Sequence, residues 1–166
     1  MDQRSPLGRR ALIVEDEPMI ALDLEAEMHA LGFGTCQLAA EAQEAFLLAM
    51  GDQLDVVLMN VQLQGGHDGI QAARWLREIS DAPIVFITGY TDRETIERIH
   101  KQVPGAPVLP KPVYRDQLAE ALSPPSGQFD STLMLSESKR QPRTVTYRDF
   151  AHLVPLAILS SRSGHA

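Results

Sequence analysis

A single cysteine, Cys36, stands in 166 residues, so no intrachain disulfide can form and a reducing compartment is the simplest setting. Aromatic side chains are scarce, at 5%. A core must therefore be filled by Val, Ile, Leu, Met and Ala, which suits layered α/β packing. No apolar run approaches the roughly 18 residues that cross a bilayer, and the opening stretch from Met1 to Arg10 lacks the apolar centre of a secretion signal. The expected setting is the cytoplasm, with no membrane contact. Basic residues are outnumbered: 15 Lys and Arg against 22 Asp and Glu give a formal net charge of −7. That balance argues against a generic nucleic-acid surface and favours cationic or metal partners.

What is present is an alternation of apolar runs and amphipathic stretches. Ala11 to Val14 is a short apolar run that stops at Glu15-Asp16-Glu17. Pro18 then suits the first turn of a helix whose apolar face is expected to hold Met19, Ile20, Leu22, Leu24, Met28 and Leu31, with Gly32 as its stop. Thr35 to Ala39 reads as a second strand, placing Cys36 in the core, and Glu41 to Met50 as a second helix. Leu54 to Asn60 follows, with five apolar residues in seven, the pattern of a strand covered on both faces. Gly69 to Ile79 is the third helix, Pro83 to Ile87 the fourth strand, Asp92 to about Gln102 the fourth helix, Ala106 to Leu109 the fifth strand and Arg115 to Leu122 the last helix.

Five strands, each followed by a helix, predict a parallel sheet wrapped on both sides. The handedness rule for crossovers narrows the choice, and a flavodoxin-like doubly wound sheet of order 2-1-3-4-5 is expected. The turn formers Ser123-Pro124-Pro125-Ser126-Gly127 mark a boundary. Residues 1–9 then form an N-terminal extension, 10–123 the domain, and 124–166 a tail expected to be partly disordered. Up to residue 123 there are 10 basic and 19 acidic side chains, and beyond it 5 and 3. The tail carries no zinc-ligand or Gly-rich motif, and Pro155 interrupts its apolar stretch from Tyr147 to Leu159.

In such a sheet ligands bind beyond the carboxyl ends of the strands. Glu15 and Asp16 follow strand one, Asn60 ends strand three, Thr88 ends strand four and Lys111 follows strand five. All should meet at one edge. Two adjacent carboxylates favour a cation between them, and Mg²⁺, held by oxygens, suits that chemistry. A lysine and a hydroxyl could hold a phosphoryl group. Every part of a phosphoryl-transfer site is present except the nucleophile, for an amide oxygen is far weaker than a carboxylate.

Read together, Glu15-Asp16 after Ala11-Leu12-Ile13-Val14, the run Asp55 to Leu63, Asp68 to Ala73, Thr88 and Lys111-Pro112 make residues 10–122 resemble a response-regulator receiver domain of the CheY-like type. The resemblance implies a phospho-acceptor aspartate where this chain has Asn60. It implies Mg²⁺ held by Asp16, the residue at position 60, the Gln62 carbonyl and, through water, Glu15. Thr88 would be the switch hydroxyl, Lys111 the phosphate-binding lysine, and Lys111-Pro112 a cis peptide. Val108 stands where many receivers carry an aromatic residue, whereas Phe86-Ile87-Thr88-Gly89-Tyr90 resembles a variant subfamily with a Phe-Ala-Thr-Gly-Tyr type motif, which makes Tyr90 the candidate switch aromatic.

The expected function is that of a stand-alone receiver in two-component phosphorelay signalling, not an enzyme. Its partners would be a histidine kinase, a phosphotransfer protein or a downstream regulator, or a second copy of the chain, met through the face of helix four, strand five and helix five. Asn60 should prevent ordinary phosphorylation and weaken Mg²⁺ binding. Two origins of Asn60 stay open, a natural pseudo-receiver and an engineered Asp-to-Asn form. The alternatives are a receiver-type DNA-binding regulator and a metal-dependent phosphoryl-transfer enzyme on the same fold.

Overall fold

The computed structural model describes residues 8–123. In chain order they form β1 (Arg9–Val14), α1 (Pro18–Ala30), β2 (Phe33–Ala39), α2 (Ala42–Gly51), β3 (Val56–Asn60), α3 (Gly69–Ile79), β4 (Ile84–Thr88), α4 (Arg93–Gln102), β5 (Val108–Pro110) and α5 (Arg115–Leu122). One turn of 3-10 helix, Gln64–Gly66, lies between β3 and α3. The sheet has the order β2-β1-β3-β4-β5, and every pairing is parallel. This is the expected flavodoxin-like arrangement. The N-terminal segment 1–7 and the expected tail 124–166 lie outside the described residues. Among the described residues no helix is long and apolar enough to cross a membrane.

β3 and β4 are buried at every position, as continuous apolar runs require when helices cover both faces of a sheet. Alternate side chains divide the core. Ala11, Ile13, Val56, Leu58, Val85 and Ile87 pack with Leu24 and Met28 of α1 and Leu118 of α5. Leu12, Val57, Met59 and Phe86 take the alternate positions and are equally buried. Arg115 of α5 pairs with Glu27 of α1 at 2.6 Å, a half-exposed tie between those two helices.

Two expectations about packing need correction. The buried face of α1 is Ala21, Leu24 and Met28, a spacing of three and four that follows the helical repeat. Met19 and Leu22 lie off that stripe and are 72% and 51% exposed. Cys36 is only half-buried, because β2 is an edge strand and has a neighbour on one side alone. It still packs against the core cluster, and burial pushes its thiol up to about 11.

The register levels the carboxyl ends of the strands. Val14 pairs with Met59, Asn60 with Ile87 and Thr88 with Pro110, so the residues that follow β1 and β5 arrive beside Asn60 and Thr88. The return from β3 to α3 is tight. The Gly69 N–H donates to the Val61 carbonyl at 2.8 Å, and a Cβ on Gly69 would sit 1.9 Å from the carbonyl oxygen of Asn60. Only glycine permits that approach. Gly69→Ala is therefore expected to lower unfolding free energy by about 1–3 kcal/mol through overpacking against backbone. A urea midpoint unchanged from the parent would contradict this reading of the β3–α3 turn.

Candidate functional site

Glu15 is delivered by β1 and held by its backbone N–H, which donates to the Ala39 carbonyl of β2 at 2.9 Å. Its side chain is buried, an unusual place for a carboxylate. One oxygen, Oε1, accepts from the Glu17 backbone N–H at 3.2 Å. The other, Oε2, lies 2.7 Å from the Lys111 ammonium, which the β5–α5 connection brings across. Burial raises the Glu15 carboxyl above its ordinary value, the neighbouring Asp16 charge adds to that, and the Lys111 ammonium and the Glu17 N–H pull against it.

Asn60 closes this cluster from the end of β3. Its carboxamide nitrogen, Nδ2, donates toward Glu15 Oε1 at 3.1 Å, Asp16 Oδ1 at 3.1 Å and the Gln62 carbonyl at 2.7 Å. An amide nitrogen has two hydrogens, so three acceptors share two donors. Two carboxylates and one ammonium leave the group with one net negative charge, and the amide dipole turns its positive end toward it. Asn60 itself is 7% exposed.

The remaining predicted residues join through the backbone. Thr88 is fully buried; its carbonyl accepts from the Lys111 N–H at 2.9 Å, and its hydroxyl oxygen accepts from the Tyr90 N–H at 2.9 Å. The Tyr90 side chain is half exposed, on the loop between β4 and α4. The Lys111-Pro112 peptide is cis. Glu15, Asp16, Asn60, Gln62 and Lys111 thus meet directly, while Thr88 reaches Lys111 through its carbonyl and Tyr90 through its hydroxyl.

One connection has no counterpart in the sequence reading. Asp68 caps α3 by accepting the Ile70 N–H at 2.9 Å, and its other carboxylate oxygen pairs with Arg98 of α4. Gln62 and Asp68 also form an isolated bridge. The loop that carries the Gln62 carbonyl is therefore tied to α4. An ion pair across 30 residues leaves no periodic trace in a sequence.

The oxygens assigned to Mg²⁺ by resemblance do converge, but their point of convergence is the Asn60 nitrogen. Mg²⁺ needs oxygens at about 2.0–2.1 Å in near-octahedral array, and it would compete for lone pairs that already receive N–H bonds. As arranged, these residues do not fit the ion at that point. Among the described residues no three carboxylate, imidazole or thiol side chains are grouped to hold a metal. The His67 imidazole lies 3.3 Å from the Gln43 side-chain amide.

Comparison with known proteins agrees with this geometry. The family model described as response regulator receiver domain matches residues 11–123. The phyllosphere-induced regulator PhyR of Methylorubrum extorquens is 37% identical over 88 residues, covering 52% of this chain and 33% of that protein. The transcriptional regulatory protein PdtaR of Mycobacterium tuberculosis is 36% identical over 97 residues, 58% of this chain and 47% of that one. The chain thus spans about a third to a half of the length of these curated relatives. A response regulator receiver protein from Sinorhizobium medicae superposes with a TM-score of 0.63 at 30% identity, covering 71% of this chain and 94% of that chain. The CheX-CheY-BeF3-Mg complex from Borrelia burgdorferi gives 0.62 at 20% identity over 69% and 86%, which is a likeness of fold.

Replacing the ammonium tests the electrostatics. Lys111→Met leaves a buried carboxylate beside Asp16 without its cation, and the expected cost at neutral pH is roughly 1–3 kcal/mol. A carboxyl whose folded pKa lies above its unfolded value of 4.5 supports the fold fully only while protonated, so stability falls as pH rises through the folded value. Lys111→Met should raise that value further. The deficit between variant and parent should therefore grow from acid toward neutral pH; a deficit independent of pH would show that Glu15 and Lys111 are not coupled.

Proposed function

Because the chain belongs to the response regulator receiver domain family, we propose that it is a receiver of two-component signalling that works by binding other proteins and takes no phosphoryl group at residue 60. The observation that carries this reading is the Asn60 carboxamide at the acceptor end of β3, facing Glu15, Asp16 and the Gln62 carbonyl. Where the family resemblance calls for an aspartate, an amide lacks the nucleophilic oxygen for attack on phosphorus. The rest of the cluster is retained: a buried hydroxyl on Thr88, an ammonium on Lys111 and two carboxylates. Retaining the frame without the acceptor suits a pseudo-receiver, or an Asp-to-Asn form of a phosphorylatable protein, and it suits a binding protein better than an enzyme.

The partner class follows from the family: a histidine kinase, a phosphotransfer protein or a downstream regulator, with a second copy of the chain as a further candidate. The face of α4, β5 and α5 is the proposed contact. Tyr90, in the loop before α4, and Tyr114, just before α5, are 50% and 62% exposed, and exposed tyrosines are favoured at interfaces because they add contact area and a polar tip. Mg²⁺ has no step in this function.

A second reading has its own observation in favour. Proteins called transcriptional regulatory proteins in Mycobacterium tuberculosis, Bacillus subtilis and Pseudomonas aeruginosa share 35–36% identity with this chain over 77–97 residues. The region they share is a part of each, and this chain spans 32–47% of their lengths. DNA binding would then depend on sequence beyond residue 123. Removing residues 124–166 and measuring retention on DNA separates the two: binding to DNA by the full chain that is lost with the tail would favour the regulator.

Incubation with acetyl phosphate and excess MgCl2 is expected to leave the intact mass unchanged, while Asn60→Asp gains one phosphoryl group. Modification of the parent on residue 60 would refute the proposal, and no gain by Asn60→Asp would mean that Thr88 and Lys111 are not set for the chemistry.

A further inference from the structure

We infer that the Asn60 side chain does the work of a cation in this pocket, so that the acidic pair is assembled and held by an internal amide and the protein needs no divalent metal. The inference rests on placing Asn60 at the acceptor position, and it concerns the regulation of that same site.

Glu15 and Asp16 are adjacent in sequence, and both aim an oxygen at one point, with the Gln62 carbonyl as the third acceptor. Three acceptors with no donor between them would repel one another, with only the Glu17 N–H left on Glu15 Oε1, at a site where Glu15 is 3% exposed. An aspartate at residue 60 would add a further negative charge and no donor, and such a site calls for a cation. The carboxamide changes both terms. It removes one charge and supplies two N–H donors directed at the same oxygens, at 2.7 to 3.1 Å. Lys111 neutralises the far oxygen of Glu15 at 2.7 Å. What is left is one net charge, shared by partly solvated Asp16 and its hydrogen bonds.

The consequence is a receiver whose pocket is closed without a divalent metal. The Gln62 loop hangs from the Asn60 N–H at one end and is tied through Asp68 to Arg98 of α4 at the other. In this chain that tie is set by residues of the chain, with no dependence on an ion that comes and goes.

Calorimetric titration of the full chain with MgCl2, beside Asn60→Asp and Asn60→Ala, tests this. The parent should give no saturable heat below millimolar Mg²⁺. Asn60→Asp should bind at least about tenfold more tightly, a difference of about 1.4 kcal/mol. Its melting temperature should rise with Mg²⁺, as linkage requires of a ligand that binds the folded state, while that of the parent stays level. Asn60→Ala removes the donors and should melt lower than the parent in EDTA. Should that variant fail to fold, the parent and Asn60→Asp decide alone. Saturable binding by the parent within about threefold of Asn60→Asp would overturn the inference, as would an Asn60→Ala that melts like the parent. Neither result would touch the absence of phosphorylation, which depends on the nucleophile and is read by mass.

Discussion

Three oxygens from two loops of the chain meet on the two N–H bonds of one carboxamide. That junction of Glu15, Asp16 and Gln62 on Asn60 constrains the rest of the pocket. It needs β1 beside β3 with Val14 level with Met59, which brings the acidic pair to the strand end. It needs a turn after β3 tight enough to bend the Gln62 carbonyl back, and Gly69 makes that turn possible because any side chain there would collide with the Asn60 carbonyl. It needs a cation for the oxygen of Glu15 that Asn60 cannot reach, and Lys111 fills that role from the connection after β5. Burial gives each of these bonds its weight, since an unpaired carboxylate costs far more inside the protein than at its surface.

The same frame extends outward through the backbone. Thr88 offers its carbonyl to Lys111 and its hydroxyl oxygen to the Tyr90 N–H, so a fully buried residue touches both the charged cluster and the exposed loop before α4. Asp68 and Arg98 make a second link from the pocket to α4. A receiver that acts by binding needs such links to hold one surface shape, and both run through hydrogen bonds that no phosphoryl group is required to form. On the proposed reading, the receiver architecture presents a binding face while residue 60 lacks the nucleophile that would switch it.

Much of this was legible in the sequence, for reasons that also explain the remainder. Continuous apolar runs such as Val56 to Met59 identify strands covered on both faces, and the alternation with helices sets the order of the sheet, so polar residues at strand ends could be brought to one edge without coordinates. Packing direction was less legible. On α1 both Leu22 and Leu24 are apolar, yet only Leu24 faces the sheet, and hydrophobicity alone does not choose between them. Cys36 looked like core because its strand is apolar, but position at the sheet edge is a property of topology. In the pocket, the sequence named the residues and left the orientation of the amide open. That the nitrogen of Asn60, and not its oxygen, faces the carboxylates follows from a contact geometry spread over 45 residues.

The Asn60 carboxamide is locked between those acceptors. Hydrogen exchange of its side-chain N–H₂ protons, followed by NMR without added metal, tests it most directly. Bonded and buried protons exchange only when the site opens, so a slowing of at least roughly a hundredfold relative to exposed Asn and Gln amides is expected, corresponding to an opening free energy of about 2.7 kcal/mol or more. Exchange at the rate of an exposed amide would mean that the nitrogen is free, and the account of the pocket would fail.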